Sequence, residues 1–147
     1  MWATLLVALL LVVFVVAGSS STRHGVAPVA AAVQSLSEYG AACDGRTDDR
    51  AALVDAIADA GATGGVVEIT GNCRIVQTGP AIALDGPVTL RGDSAQATLS
   101  LDSDSGGSRS LFAISGDGVT IEHLTLQRVA DVSGVMLELG PLSRLTI

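Results

Sequence analysis

The chain has 147 residues, enough for one domain with a real core, and 48% of them are hydrophobic. Its formal net charge is −7; the 8 cationic residues are all Arg, and they form no basic run, which excludes phosphate-backbone recognition and so a nucleic-acid partner. Aromatic residues make up only 3%, so the interior must be built from Val, Ile, Leu and Ala.

The first element is an uncharged apolar run, TLLVALLLVVFVVAG, Thr4 to Gly18. Its length is that of a signal-peptide core, and it falls short of the ~20 residues of a spanning helix. Small residues follow, from Ala17 to Ser21, so the pattern predicts a signal peptide over 1–18, cleaved after Gly18 or Ser19. No Lys or Arg precedes the run, a departure from the signal-peptide pattern, and counting from Trp2 extends it to about 17 residues, which keeps an uncleaved membrane anchor as the alternative. Either way the remainder is expected outside the cytoplasm: secreted, or anchored to the outer side of a membrane. Ser19 to Gln34, rich in Ser, Ala and Val, reads as a linker, and the domain itself as 35–147.

Export gives meaning to the only two cysteines, Cys43 and Cys73. An oxidising compartment favours a bridge between them. Two buried free thiols is the other reading.

TDDRAALVDAIADAGATGG is predicted as a helix with both ends marked. Thr47 reads as the N-cap, and Asp48 and Asp49 as first-turn charges facing the positive end of the helix dipole. Leu53 and Ile57 share a face with Ala52, Ala56 and Ala60, and Gly61 or the Gly64-Gly65 pair ends it. A calcium loop needs oxygen ligands at alternating positions with a central Gly and a terminal Glu. Asp44, Asp48 and Asp49 lack that spacing, so the reading is architectural.

From Val66 the helical period gives way to short apolar runs: VVEI, AIAL, VTL, ATLSL, LFAI, VTIEHLTL, VMLEL and LSRLTI. Several alternate with period two and are bounded by Gly, Asp, Ser or Pro, which predicts many short strands. They also repeat. IEHLTL (Ile121–Leu126) aligns with LSRLTI (Leu142–Ile147) at an offset of about 21 residues. Repeats of this length made of strands predict a β-solenoid whose apolar residues form interior ladders. Glu122, His123, Ser143 and Arg144 fall between ladder positions and are expected to face out, as is Glu138. The Ser100–Ser110 stretch reads as a polar loop, and its Asp102 and Asp104 as solvated acids rather than a metal pair.

EYGAACDGRTDDRAALVDAI resembles the N-terminal signature of the pectate-lyase superfamily, in its rhamnogalacturonase/epimerase-like branch. The matching positions are Tyr39, Gly40, Ala41, Asp44, Gly45, Asp48, Asp49, Ala52, Leu53, Ala56 and Ile57. Gly64, Gly65, Val67 and Ile69 follow in place, then a turn-like TGNCRI and the strand VTLRGD. The resemblance implies a mainly β fold: a right-handed parallel β-helix whose early helix covers its N-terminal end, with only N-terminal coils in this chain. Gly40, Asp44, Gly45, Thr47, Asp48 and Asp49 are then structural residues of the turn and cap. Cys43 and Cys73 stand where the family usually carries Gly and Tyr, and two departures at once point to a Cys43–Cys73 disulfide.

Members of that family act on polysaccharide as lyases, hydrolases or epimerases, and lyase-like members commonly use Ca²⁺. The resemblance therefore implies polysaccharide as partner, and Ca²⁺ as the cofactor of a full-length protein. Catalytic groups of the family sit in later, central coils. No position here matches a catalytic motif, so no catalytic or metal residue is assigned. Glu122, His123, Glu138 and Arg144 read as outward strand residues. The same scaffold also serves non-catalytic surface proteins of adhesin or tail-spike type, and an inactive truncated product is the third reading.

Overall fold

The computed structural model describes residues 30–102, 110–129, 136–140 and 145–147. The apolar run, most of the linker, Asp104, Ser143 and Arg144 lie outside them.

The chain enters through β1 (Val33–Ser35), a 3₁₀ turn (Leu36–Tyr39), β2 (Asp44–Asp48) and α1 (Arg50–Thr63). Then come β3 (Val66–Ile69), β4 (Asn72–Val76), β5 (Ile82–Leu84), β6 (Thr89–Gly92), β7 (Thr98–Asp102) and β8 (Phe112–Ile114). β9 (Val119–Glu122), β10 (Thr125–Arg128), β11 (Leu137–Leu139) and β12 (Leu145–Thr146) complete the described elements. All pairings among them are parallel.

Three sheets result. The first has the order β1-β3-β6-β9-β12, the second β2-β4-β7-β10, and the third β5-β8-β11. From β3 onward the chain visits first, second and third sheet in turn, then repeats one level further on. This is the architecture of a parallel β-helix, in which each strand buries its apolar side against the interior and pairs with the coils before and after it.

The reason is the period-two pattern. Successive side chains of a strand point to opposite faces, and burial alternates accordingly in β3, β4, β5, β6, β8 and β9. In register, Val67, Leu90 and Ile121 stack in one interior row, Cys73, Leu99 and Leu126 in a second, and Ile82, Phe112 and Leu137 in a third. Burying a residue such as Leu90, which is 0% exposed, contributes about 2–3 kcal/mol.

In the first coil α1 stands where the third sheet would have a strand. Ala52, Leu53, Ala56, Ile57 and Ala60 are buried on one face, and the small Ala side chains let that face lie close over the end of the solenoid. The helix packs on the 3₁₀ turn, β3, β4 and β5. Gly64, at φ 69°, ends it, with its N–H reaching back to Ala60 O.

Several sequence expectations need correction. The helix starts at Arg50, with Asp49 as N-cap and no side-chain cap bond; Thr47 and Asp48 belong to β2. β2 bulges between Asp44 and Asp48, where it pairs with β4, and the Thr47 hydroxyl is taken up by Asp44 Oδ2, so Thr47 does not cap the helix. The stretch read as linker contributes the start of β1 at Val33. TGNCRI is a turn only at its start, and Asn72–Val76 is strand. VTIEHLTL is two strands, broken at His123, which takes φ 52° where the chain turns from the first sheet to the second. Directly beside that corner is Gly92, where an added Cβ would lie 2.0 Å from His123 O. The 21-residue ladder also gives way: Leu145 pairs with Val119, not Leu124.

Candidate functional site

The acidic motif is a knot of backbone capture. Asp44 Oδ1 accepts the N–H of Arg46 and of Thr47, both at 2.8 Å, and Asp44 Oδ2 accepts the Thr47 hydroxyl at 3.2 Å. The Thr47 and Arg46 N–H bonds hold the Asp44 carboxyl below its ordinary range. Asp48 Oδ1 accepts Arg50 N–H at 3.1 Å and Val76 N–H, one coil on, at 3.0 Å. Asp49, 2% exposed, accepts Ala42 N–H at 2.7 Å and Cys43 N–H at 3.2 Å. Gly45 and Gly40 take φ 75° and 87°, the left-handed region that favours Gly. An added Cβ at Gly45 would also meet Asn72 Nδ2 at 3.0 Å.

Cys43 and Cys73 form a disulfide. It ties the turn before α1 to β4 across a separation of 30 residues. Their sulfurs and an Asp49 oxygen lie within 4.8 Å of one another. Neither sulfur is a thiolate in the bridge, and Asp49 is turned to two N–H groups, so this cluster serves as a clasp and not as a metal centre.

The second sheet carries a different arrangement on its outer face. Asn72, Thr98 and Thr125 fall in one row, and Arg74, Ser100 and Gln127 in the next. Hydrogen bonds run across the coils. Ser100 Oγ donates to Asn72 Oδ1 at 2.6 Å, and Gln127 Nε2 donates to Ser100 Oγ at 2.7 Å. Arg74 pairs with Asp102 through Nε, at 3.1 Å, and Nη2, and its Nη1 donates to Arg46 O at 2.9 Å. Ser100 and Asp102 are covered by these neighbours, at 2% and 8% exposure, so they belong to a strand face and not to a solvated loop. Gln127 and Thr125 remain exposed at its surface. The face can order a hydroxyl-rich ligand by amide and hydroxyl contacts. Among the described residues it carries no aromatic ring for stacking.

Glu122 lies on the outer face of the first sheet, in register with Arg91, which pairs with Glu68 at 2.9 Å. Glu138 is exposed on β11. His123 shares a corner recess with Asp93 and Ser94, but among the described residues no hydrogen bond joins the three. These groups are not brought together into an acid–base pair, and Arg144 lies outside the described residues. A groove of about 550 Å³ lies between α1 and β5, lined mostly by apolar groups together with Arg50 and Asp85.

The sequence reading missed Asn72, Arg74, Ser100 and Gln127. Their signal is the polar half of the alternation in NCRIV, TLSLD and TLQR; which of them touch depends on register, which alternation alone does not give. No family model, no curated protein and no solved structure matches this chain.

Proposed function

We propose that this chain is the capped part of an extracytoplasmic β-helix protein directed at polysaccharide, and that its described coils bind the polymer through the outer face of the second sheet. The observation that carries this reading is the hydrogen-bonded Asn72–Ser100–Gln127 strip, which crosses three neighbouring coils diagonally from the Asn72 row to that of Ser100 and Gln127, with Thr125 and Gln127 exposed at its surface. A polymer lying along such a face meets polar side chains at each ~4.8 Å step between coils. The Tyr39–Ile57 motif, similar to the pectate-lyase superfamily, supports the same substrate class. The disulfide supports an oxidising compartment, secreted or membrane-anchored.

Binding is favoured over hydrolysis by the state of the carboxylates. Glycosidases need two carboxyl groups flanking one bond, free to move protons. Here Asp44, Asp48 and Asp49 are held by backbone N–H groups, and Glu68 and Asp102 by Arg91 and Arg74. A catalytic centre of the lyase, polygalacturonase or epimerase kind, with Ca²⁺, would belong to other coils.

Affinity electrophoresis tests the proposal, with polygalacturonate or a neutral galactan in the gel, with and without Ca²⁺. Retardation by either polymer, lost in a Thr125→Ala/Gln127→Ala variant of unchanged circular dichroism, is the expected result. No retardation under any of these conditions overturns it.

A further inference from the structure

Among the described strands β5 pairs with β8 alone. Where the first coil would supply its second neighbour, the chain forms α1 instead. Ile82 N–H donates to Leu111 O at 2.9 Å, and Leu84 O accepts the N–H of Ser115 at 3.2 Å. Backbone groups of successive strand residues alternate between the two edges. Ala83 therefore turns its N–H and C=O away from β8, toward α1, and among the described residues neither group meets a partner. An edge of this kind is a template for another strand.

Covering an edge with a helix is one way to keep other chains off it. Here the cover leaves room, because the groove of about 550 Å³ follows β5 from Ala81 to Gly86. Ala58 and Gly61 on its helix side are too small to fill it. Charges lie toward its two ends. At the start of β5 the Arg50 guanidinium donates from Nε to Gln77 Oε1 at 3.4 Å and from Nη2 to Pro80 O at 3.0 Å. Both acceptors are neutral, and among the described residues no carboxylate pairs with Arg50. Past Leu84 stands Asp85, exposed, with Ser115 Oγ donating to it.

We propose that the α1–β5 groove is a docking site for the C-terminal tail of another polypeptide. The tail lies extended and antiparallel to β5, exchanges backbone hydrogen bonds with Ala83, and sets its terminal carboxylate on Arg50. Antiparallel is the slightly more stable pairing per residue. It is also the direction that brings a carboxyl end to the start of β5, where the unneutralised guanidinium is. From Ala81 to Asp85 the strand runs about 13 Å at ~3.3 Å per residue, so a basic side chain about four residues upstream of the carboxyl end meets Asp85. Aliphatic side chains at alternate positions enter between Ile57, Ile82 and Val88, which line the groove. In strand addition the main chain gives affinity and such alternate side chains give specificity. This inference does not depend on polysaccharide binding.

Binding of the full chain to a synthetic library of octapeptides tests it, each anchored by its N-terminus and made both as free acid and as C-terminal amide. A subset with aliphatic residues near a free carboxyl end and Lys or Arg upstream is expected to bind. Amidation should weaken each by about tenfold or more. Isothermal titration with the tightest of these peptides should show a similar loss in Arg50→Gln, less in Arg50→Lys, and a loss in Ala58→Phe, which fills the groove from an exposed helix position. Ala62→Arg, at the exposed surface of α1 outside the groove, should leave binding unchanged. Retention of the Cys43–Cys73 bridge and of circular dichroism shows that the variants are folded. No peptide bound, acid and amide bound alike, or binding indifferent to Ala58→Phe would each overturn the proposal. So would binding of decanoate with no peptide bound, which would assign the groove to an apolar acid.

Discussion

Asp49 shows how one side chain can organise a fold's entrance. Its buried carboxylate takes two N–H groups of the preceding turn, while its own N–H donates to Arg74 O at 2.8 Å on the next coil. Charge-assisted bonds of this kind contribute ~1.5–3 kcal/mol each, so Asp49→Ala should cost about 3 kcal/mol in a denaturant melt. A loss under ~0.5 kcal/mol, the range of surface substitutions, would contradict the role. Tyr39 offers a second test, because it is the only Tyr in the chain. Partial burial and then its 3.0 Å hydrogen bond to Asp59 raise its phenol above the ordinary value of 10.0. The folded state thus favours the neutral phenol; the stability this contributes is present below the ordinary value and lost as pH climbs through the raised one. Ultraviolet titration should give a midpoint above that of free tyrosine, moving down in Asp59→Asn. Glycines supply a contrast. Gly92→Ala would drive a Cβ into His123 O and should cost ~3 kcal/mol or more, whereas Gly61→Ala, in α1 with nothing within 4 Å, should stabilise by ~0.5–1 kcal/mol. The residues of the acidic motif were legible as architectural, but their partners were not. Asp48 and Asp49 reach Val76 and Ala42, and the strand geometry that takes them there is set by pairing with β4.

At the level of elements, α1 and the strands were readable because each rests on local periodicity: the Leu53–Ile57 face and the alternation of VVEI, AIAL or LFAI. Register was not. Hydrogen-bonded side chains on neighbouring coils are 23 to 30 residues apart in sequence, because the turns between sheets differ in length from coil to coil. A match of IEHLTL to LSRLTI counts apolar spacing across a corner, where His123 reverses the pattern, and so sets Leu145 on the wrong partner. The disulfide is the covalent counterpart of the cap, joining the entrance of α1 to the second sheet. Closing a 30-residue loop stabilises by ~3–4 kcal/mol in the chain-entropy model, so Cys43→Ser/Cys73→Ser should lower the unfolding free energy by about that amount. An unchanged melting profile would show that the clasp constrains little.

For the whole molecule, a net charge of −7 and an outer face without aromatic rings shape what it can bind. Attraction of a polyanion needs Ca²⁺ or the local guanidinium groups of Arg46 and Arg74, and recognition rests on hydrogen bonds. The central claim is that the outer face of the second sheet is where polymer binds. Amide chemical-shift mapping during titration with oligogalacturonides or oligogalactans tests it most directly. The account predicts shifts concentrated at Asn72–Arg74, Thr98–Ser100 and Thr125–Gln127, with the first sheet and the α1–β5 groove unmoved. Shifts confined to that groove or to Glu68–Arg91, or none at all, would contradict it.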